Sequence, residues 1–215
     1  MLASNEELVE YLCRHGYISS ERVRRAFLKV DRRDFVPPQY KKYAYLDEPL
    51  PIGKGQTISA PSVVAKTLEL AEIEPGQKVL EIGTGSGYLT ALLAELVGPQ
   101  GLVVSVEYFP ELAEFARKNL EKYGFKNVVL VCGDGSRGYP ELAPYDRIVC
   151  GAAAPYPLPQ PWIEQLKEGR ILVSPVQYGP EQWMFKCIKA GNKLKVVERW
   201  GPVVFVPLRG EHGLR

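Results

Sequence analysis

The sequence is poor in the residues that build metal sites and disulfide frameworks. Its 215 residues include four cysteines, at positions 13, 132, 150 and 187, and two histidines, at positions 15 and 212. No two cysteines have the Cys-x-x-Cys spacing of a zinc ribbon, and a chain of this length can bury a full apolar core without covalent cross-links. We therefore expect no metal site, free thiols and a cytoplasmic location.

The sequence also has little net charge and no long apolar segment. Its formal net charge is +2, which is too small to indicate a polyanionic partner. Acidic residues interrupt the arginine-rich stretch, which favours a solvated helix face over a nucleic-acid-binding stripe, for Arg22, Arg24, Arg25, Arg32 and Arg33. The first residues lack a signal-peptide pattern, and no run approaches the roughly 18 apolar residues of a membrane span. We expect a monomer without a nucleic-acid or membrane partner.

The amino-terminal 50 residues predict two helices and a tail. Ser4 followed by Glu7 resembles a capping box, and Gly16 is a plausible helix end. Ser19 or Ser20 then begins a second helix, with Val23 and Phe27 on one face. We expect residues 1–58 to form a helical cover and a loop, and residues 59–215 to form the core of a single domain.

From Pro61 onward, helical and strand patterns alternate. Strands are predicted at 79–82, 102–107, 128–131, 147–150 and 171–176. A helix starting at Pro61 precedes the first strand, and helices starting at Tyr88 and Pro110 follow the first and second strands. This alternation predicts an α/β fold with a doubly wound, mainly parallel sheet. The period-2 segments at 183–187, 194–197 and 203–206 predict an antiparallel finish.

The strongest local motif is Glu81-Ile82-Gly83-Thr84-Gly85-Ser86-Gly87, in which a strand runs into a glycine-rich turn and a helix. Glycines allow a ligand to approach the backbone closely. In the dinucleotide fingerprint G-x-G-x-x-G the third glycine falls one position later, where this chain has Tyr88. The motif therefore favours an uncharged nucleoside with an amino-acid tail, as in S-adenosylmethionine (AdoMet).

Two acidic residues follow the next strands. Glu107 ends a strand about 20 residues after the loop, where a carboxylate can accept hydrogen bonds from both ribose hydroxyls. Asp134, in Gly133-Asp134-Gly135, follows the third strand of the core and is a candidate acceptor for the adenine amino group. Both have ordinary explanations, as a solvated strand end and as an Asp-Gly turn, but their position relative to the glycine loop favours cofactor binding.

The residues near the fourth core strand restrict the methyl acceptor. Ala153-Ala154-Pro155-Tyr156 lacks the Asn, Asp or Ser that holds an exocyclic amine in base methyltransferases, and Cys150 follows Val149 rather than the proline of cytosine C5 enzymes. Both histidines lie near a terminus, so a histidine base has little support. A carboxylate acceptor needs no base, because it is already an anion at neutral pH.

Several segments together resemble the protein-L-isoaspartate (D-aspartate) O-methyltransferases. The most specific segment is Pro51 to Pro61, with the sequence PIGKGQTISAP. The others are the loop at 81–87, Gly133-Asp134-Gly135, and the segments at 143–146, 151–155, 174–176 and 205–208. One difference is Ser62, where many members have histidine.

The resemblance implies methyl transfer from AdoMet to the free carboxylate of L-isoaspartyl and D-aspartyl residues, which starts repair through a succinimide. It implies Ser59 as the active-site residue. It implies cofactor contacts from Ile52, Gly53, Lys54, Gly55, Thr57, Ser59, Glu81, Gly83, Thr84, Gly85, Glu107, Tyr108, Asp134 and Gly135. It implies peptide contacts from Ser59, Ala60, Val206, Pro207, Leu208 and Arg209.

Two other hypotheses remain open at the level of the sequence. One is an AdoMet-dependent methyltransferase that acts on RNA or on a small molecule, although the Asn/Asp-Pro-Pro-aromatic loop typical of amine methylation is missing. The other is a nucleotide-binding module without catalysis, which would bind the cofactor and transfer nothing.

Overall fold

The computed structural model describes residues 2–214. Its amino-terminal part begins with helices α1 (Asn5–Arg14) and α2 (Glu21–Lys29). The side chains of Ser4 and Ser20 cap them by accepting hydrogen bonds from the backbone N–H groups of Glu7 and Val23. The two predicted helices are confirmed. Two short 3-10 segments follow, at Arg32–Phe35 and Pro38–Tyr43.

The prediction of a solvated arginine face is right for the helix but wrong for Arg32. Arg22, Arg24, Arg25 and Arg33 are exposed, whereas Arg32 is fully buried, with 0% of its surface accessible. The physical reason is that α2 ends at Lys29, so Arg32 no longer follows the periodicity of that helix. Its guanidinium enters the interior and donates hydrogen bonds to backbone carbonyls.

A small hairpin precedes the core, and the sequence analysis did not predict it. Strand β1 (Leu50–Gly53) pairs antiparallel with β2 (Gln56–Ile58). The two residues between them, Lys54 and Gly55, have φ values of 54° and 69°. Such a two-residue loop with positive φ at both positions matches the right-handed twist of a hairpin. Helix α3 (Pro61–Ala71) begins directly after it.

The core is a seven-stranded sheet. Its strands are β3 (Lys78–Ile82), β4 (Leu102–Glu107), β5 (Val128–Cys132), β6 (Tyr145–Cys150), β7 (Leu166–Tyr178), β8 (Glu181–Ala190) and β9 (Lys193–Val203). The spatial order is β5-β4-β3-β6-β7-β8-β9, with parallel pairs from β5 to β7 and antiparallel pairs beyond. The connecting helices are α4 (Tyr88–Val97), α5 (Pro110–Glu121) and α6 (Gln160–Gln165). The predicted doubly wound sheet with an antiparallel finish is confirmed.

The predicted last strand is wrong in detail. Val203 ends β9, which is one long strand, and residues 204–206 form no strand of their own. Val204 is 95% exposed, because the chain leaves the sheet there. The chain crosses instead to the segment that follows the carboxyl end of β6, where Pro207 forms an isolated parallel bridge with Ala153.

Apolar side chains cover both faces of the sheet. One buried cluster joins the strand residues Val79, Val103 and Val149 to side chains of α1 through α5. The other joins Leu80 and Ile148 to α6, the carboxyl-terminal segment and neighbouring strands. Because side chains of a strand alternate between faces, consecutive residues of β3 serve different clusters. Residues of both clusters, among them Leu112 and Ile82, extend to the carboxyl ends of the strands and line cavities there.

Candidate active site

The carboxyl ends of β3, β4 and β6 lie side by side, and a glycine directly follows β3 and β6. The backbone N–H of Gly83 donates to the carbonyl of Val106 at 2.9 Å, and that of Gly151 donates to the carbonyl of Ile82 at 2.8 Å. Chain order reverses here, because β3 has β4 on one side and β6 on the other. Open α/β sheets bind ligands in the crevice outside such a switch point.

Three adjoining cavities occupy this crevice. The first cavity lies at the carboxyl end of β4 and is lined by Gly85, Glu107 and Gly135. Its other lining residues are Gln56, Thr57, Ile82, Gly83, Val106, Tyr108, Phe109, Leu112, Gly151, Ala152, Val206, Pro207, Leu208 and Arg209. Its walls combine the buried Glu107 carboxylate and apolar side chains with three further polar residues, Gln56, Thr57 and Arg209. That combination suits a flat nucleoside better than a phosphate.

The second and third cavities meet at Ser59. The second lies between Ser59, the glycine loop at Gly83–Ser86 and Tyr88. The third lies between Ser59, Ala60 and the segment 204–206, with Pro49 at its edge. Thr57 and Gly151 line all three cavities. A group in the second cavity and a group in the third therefore approach each other beside the Ser59 residue.

The glycine loop adopts backbone conformations that need glycine. Gly83, Gly85 and Gly87 have φ values of 87°, 56° and 92°. A Cβ on Gly85 would lie 3.3 Å from Cδ1 of Ile52, so the hairpin packs tightly over the loop. The Asn119 side chain in α5 donates to the carbonyl of Ser86 at 3.0 Å. The loop is thus held from both sides with its backbone towards the cavities.

Glu107, the predicted ribose acceptor, lines the first cavity. Its Oε2 accepts from the N–H of Gly85 at 2.8 Å, and its Oε1 accepts from the N–H of Phe109 at 3.0 Å. The residue is 5% exposed. Burial raises its pKa, and the N–H groups of Phe109 and Gly85 offset part of that rise. Each oxygen retains a lone pair for a ligand hydroxyl.

Glu81 does not lie where a direct cofactor contact requires it. It is fully buried, lines none of the three cavities, and its Oε2 accepts from Thr90 at 2.5 Å and from Ser105 at 2.6 Å. Its Oε1 has no hydrogen-bond partner. Burial raises the pKa of Glu81 to about 8. The reason for the difference is its position within β3, where its carboxylate faces the hydroxyls of Thr90 in α4 and Ser105 in β4. The predicted direct contact is corrected to a supporting position.

Asp134 is held by the carboxyl-terminal segment. Its Oδ1 accepts from the N–H of Ser136 at 2.9 Å and from its hydroxyl at 2.6 Å, while Oδ2 accepts from the N–H of Glu211 at 2.8 Å. Burial raises its pKa, but these hydrogen bonds outweigh burial, and the net shift is downward. The neighbouring Gly135 lines the first cavity, and a Cβ there would lie 2.8 Å from Cγ2 of Ile82.

The predicted peptide wall, Val206–Arg209, lines the first cavity, and Val206 also lines the third. It is fixed to the strand ends by two hydrogen bonds, from Ala153 N–H to the Val206 carbonyl at 2.8 Å and from Leu208 N–H to the Ala153 carbonyl at 2.9 Å. The predicted cofactor and peptide residues therefore share walls rather than form separate sites.

The hairpin residues divide into two groups. Thr57 lines the cavities and Ile52 contacts the glycine loop, whereas Gly53, Lys54 and Gly55 form the exposed tip and line none of the three. Nζ of Lys54 instead pairs with Oε1 of Glu111 in α5 at 2.5 Å. Thr84 lines the second cavity, and Tyr108 lines the first, with 48% of its surface exposed.

Sequence reasoning missed several lining residues. Gly151 borders all three cavities, and Phe205 borders the second and third. Gly151 follows β6, the strand next to β3, so its position after a buried strand was the available signal. Phe205 begins the segment 205–208 that resembles the family, but its contact with the cavities depends on how the chain returns after β9.

Residues 2–214 contain neither a grouped set of metal-binding side chains nor a helix that could span a membrane. Within this part of the chain, no three His, Cys, Asp or Glu side chains are grouped in a way that holds a metal ion. Each of the helices described above is too short or too polar to cross a bilayer.

Comparison with known proteins shows that the chain is similar to enzymes that transfer methyl groups. The sequence model described as "Protein-L-isoaspartate(D-aspartate) O-methyltransferase (PCMT)" matches residues 3–213. The protein-L-isoaspartate O-methyltransferase of Thermococcus onnurineus is 56% identical over 207 residues, covering 95% of this chain and 93% of the relative. That of Pyrococcus horikoshii is 52% identical over 208 residues, covering 96% and 93%.

Two solved structures have the same fold. A protein-L-isoaspartate O-methyltransferase superposes with a TM-score of 0.87 at 35% identity, over 97% of this chain and 66% of that chain. A Plasmodium falciparum structure described as a beta-aspartate methyltransferase in complex with S-adenosyl-L-homocysteine (AdoHcy) has a TM-score of 0.86 at 26% identity, over 97% and 99%. On its sequence, its sheet topology and its strand-end cavities, this chain belongs to the protein-L-isoaspartate (D-aspartate) O-methyltransferase family.

Proposed function

We propose that this protein transfers a methyl group from AdoMet to the free carboxylate of L-isoaspartyl, and D-aspartyl, residues in damaged proteins. The observation that carries the proposal is the meeting of the second and third cavities at Ser59. One side offers room beside a glycine loop for a cofactor tail, and the other offers room beside a peptide wall for an acceptor.

The residues present fit AdoMet on chemical grounds. In the first cavity, Glu107 is a buried acceptor for the ribose hydroxyls, and Ile82, Val106 and Leu112 supply apolar surface for a purine. Asp134 lies beside this cavity, with its carboxylate already oriented, and we assign it the adenine amino group. In the second cavity, Gly83 and Gly85 have no Cβ that would exclude the amino-acid tail.

The acceptor side calls for orientation rather than proton removal. Bound AdoMet supplies a methyl group on a positively charged sulfur. The acceptor carboxylate is already an anion at neutral pH, so the chain must align it and exclude water from it. We assign alignment to the hydroxyl of Ser59 and to the backbone of Ala60, and we assign the grip on the peptide to Val206–Arg209.

From this division of roles we expect the site to prefer isoaspartate over aspartate. The two isomers differ in the position of one methylene, which moves the carboxylate relative to the peptide backbone. An apolar pocket discriminates one methylene by only about 1–3 kcal/mol, whereas a misplaced hydrogen-bonding group costs more. When a site holds the peptide backbone along one wall, the carboxylate of only one of the two isomers is placed correctly at Ser59.

The test is steady-state methyl transfer to one isoaspartyl peptide and its aspartyl twin. We expect the wild-type protein to use the isoaspartyl peptide selectively. We expect Ser59→Ala to lose about 10- to 150-fold in kcat, the effect of one hydrogen bond to a charged group of about 1.5–3 kcal/mol, with AdoMet affinity retained. Ser19→Ala is the matched control, since Ser19 is exposed and lines none of the three cavities. Equal use of both peptides by the wild type would refute the proposal.

We also propose that the protein acts in the cytoplasm as a monomer of a single methyltransferase domain, residues 1–215, without a nucleic-acid partner. The net charge of +2 and four free cysteines support these assignments. Sedimentation of the purified protein with and without isoaspartyl peptide tests the oligomeric state.

A further inference from the structure

Arg32 is a buried charged residue to which the proposed chemistry assigns no role. Its side chain is fully buried. Nη1 donates to the carbonyl of Ala44 at 2.6 Å, and Nη2 donates to the carbonyls of Glu48 at 2.9 Å and Ser59 at 3.1 Å. A single guanidinium therefore ties the amino-terminal cover and the loop before β1 to the residue where the second and third cavities meet.

The charge of Arg32 has no contacting carboxylate among residues 2–214. Its side-chain hydrogen bonds go to backbone carbonyls, and its Nε has no partner. Burial lowers the pKa of Arg32 to about 10, while Tyr88 and Asp47 act in the opposite direction, so the group is charged at neutral pH. Burial of a charged group without a contacting counter-ion destabilises the folded state. We therefore expect this charge to have a functional role.

The positive charge of Arg32 would stabilise an anion bound in the third cavity. The Ser59 carbonyl is 3.1 Å from Nη2, and the Ser59 hydroxyl belongs to the same residue. A carboxylate hydrogen-bonded to that hydroxyl lies within roughly 10 Å of the guanidinium. Asp47, whose negative charge acts on Arg32, already accepts a hydrogen bond from the N–H of Ser62 at 2.8 Å.

We propose that Arg32 is a positioning and specificity residue for the acceptor: it fixes the backbone of Ser59, and its charge favours a carboxylate over a neutral group in the third cavity. The inference rests on the proposed function, because it takes the acceptor to be the isoaspartyl carboxylate. Arg32 acts through Ser59 and through its field, and it touches neither substrate nor cofactor.

The experiment compares two peptides that differ only in charge: one with an isoaspartyl residue and one with the corresponding isoasparaginyl amide. Their affinities are measured by calorimetry on the protein saturated with AdoHcy. At an effective dielectric constant of about 20, a unit charge roughly 10 Å away changes affinity about 10- to 20-fold. We expect Arg32→Gln to reduce the preference for the carboxylate by about tenfold, and Arg32→Lys to retain most of it.

A purely structural role would lower the affinity for both peptides and leave their ratio unchanged. Arg147→Gln is the matched control, because Arg147 is also buried and also donates to backbone carbonyls, those of Ala71 and Glu72, far from Ser59 in the fold. We expect its ratio to equal that of the wild type. An unchanged ratio in Arg32→Gln overturns the inference.

A second variant keeps the inference testable if Arg32→Gln does not fold. Asp47→Asn retains an oxygen for the N–H of Ser62 and removes the negative charge that opposes Arg32. We expect its carboxylate preference to increase by about twofold or more. A preference that stays constant or falls overturns the inference. If the wild type methylates the isoaspartyl peptide while these ratios do not move, only the role of Arg32 fails; a wild type that neither methylates nor discriminates refutes the proposed function itself.

Discussion

Replacing Gly210 tests the link between the carboxyl-terminal segment and the cofactor site. Gly210 has a φ of 111°, and a Cβ on it would lie 1.9 Å from Oδ1 and 2.4 Å from Cγ of Asp134. Ordinary contact needs about 3.4 Å or more, so Gly210→Ala must move the segment or the carboxylate by roughly 1.5 Å. Such a shift breaks the 2.8 Å hydrogen bond from the Glu211 N–H to Asp134.

The size of the effect follows from what Asp134 then loses. We propose that its carboxylate accepts from the adenine amino group, and a hydrogen bond to a charged group contributes about 1.5–3 kcal/mol. Calorimetry should therefore give an AdoHcy dissociation constant about 10- to 150-fold higher for Gly210→Ala than for the wild type. The same shift moves Leu208 and Arg209, so we expect KM for the peptide to rise as well.

The control separates this contact from backbone strain. Gly76 has a φ of 82°, and a Cβ on it would meet nothing within 4 Å. Gly76→Ala therefore carries the cost of a positive φ without the collision, and we expect it to be less stable with normal AdoHcy affinity. Unchanged AdoHcy affinity in Gly210→Ala, or an equal loss in Gly76→Ala, would refute the reasoning.

Two further predictions concern buried groups. Burial raises the pKa of Glu81 to about 8 in the folded protein, against about 4.3 in an unfolded chain. The folded state therefore binds the extra proton, and the free energy of unfolding decreases as pH rises from about 5 to 8, by up to about 1.4 kcal/mol per pH unit. Glu81→Gln should lose this dependence in thermal unfolding scans, and a variant that keeps it would contradict the assignment. Burial also raises the pKa of the Cys150 thiol to about 12, so iodoacetamide should label the exposed Cys132 and leave Cys150 unmodified in the folded protein, as judged by peptide mass spectrometry. Labelling of both at one rate would contradict it.

The sheet and the strand-end residues were predictable because their signals are local. The segment from Val79 to Gly87 carries its own evidence, namely a buried strand, glycines where φ must be positive, and an apolar helix. Glu107 follows from the same logic one strand later. Parallel strands bring their carboxyl ends together, so local patterns were sufficient to collect these residues at one edge.

The remaining features depend on contacts distant in sequence. Arg32 looks like its exposed neighbours in sequence and becomes buried only because loops at 44–48 and 59 enclose it. The hydrogen bond between Asp134 and Glu211 joins residues 77 positions apart, and no local sequence pattern around either residue predicts it. Glu81 differs for another reason: the motif indicates that an acid is needed, but only the packing of Thr90 and Ser105 shows that it faces inward.

The hydrogen bonds of Asp134 also bear on how this chain ages. An aspartate followed by glycine cyclises readily, because no side chain on the second residue keeps its backbone nitrogen from the carboxyl carbon. Ring closure needs the carboxyl group to be protonated, since a carboxylate is a poor electrophile. In this chain Gly135 follows Asp134, but Ser136 and Glu211 immobilise the carboxylate and keep its pKa low despite burial. The contacts that orient this carboxylate therefore also protect it from the isomerisation that the family exists to reverse.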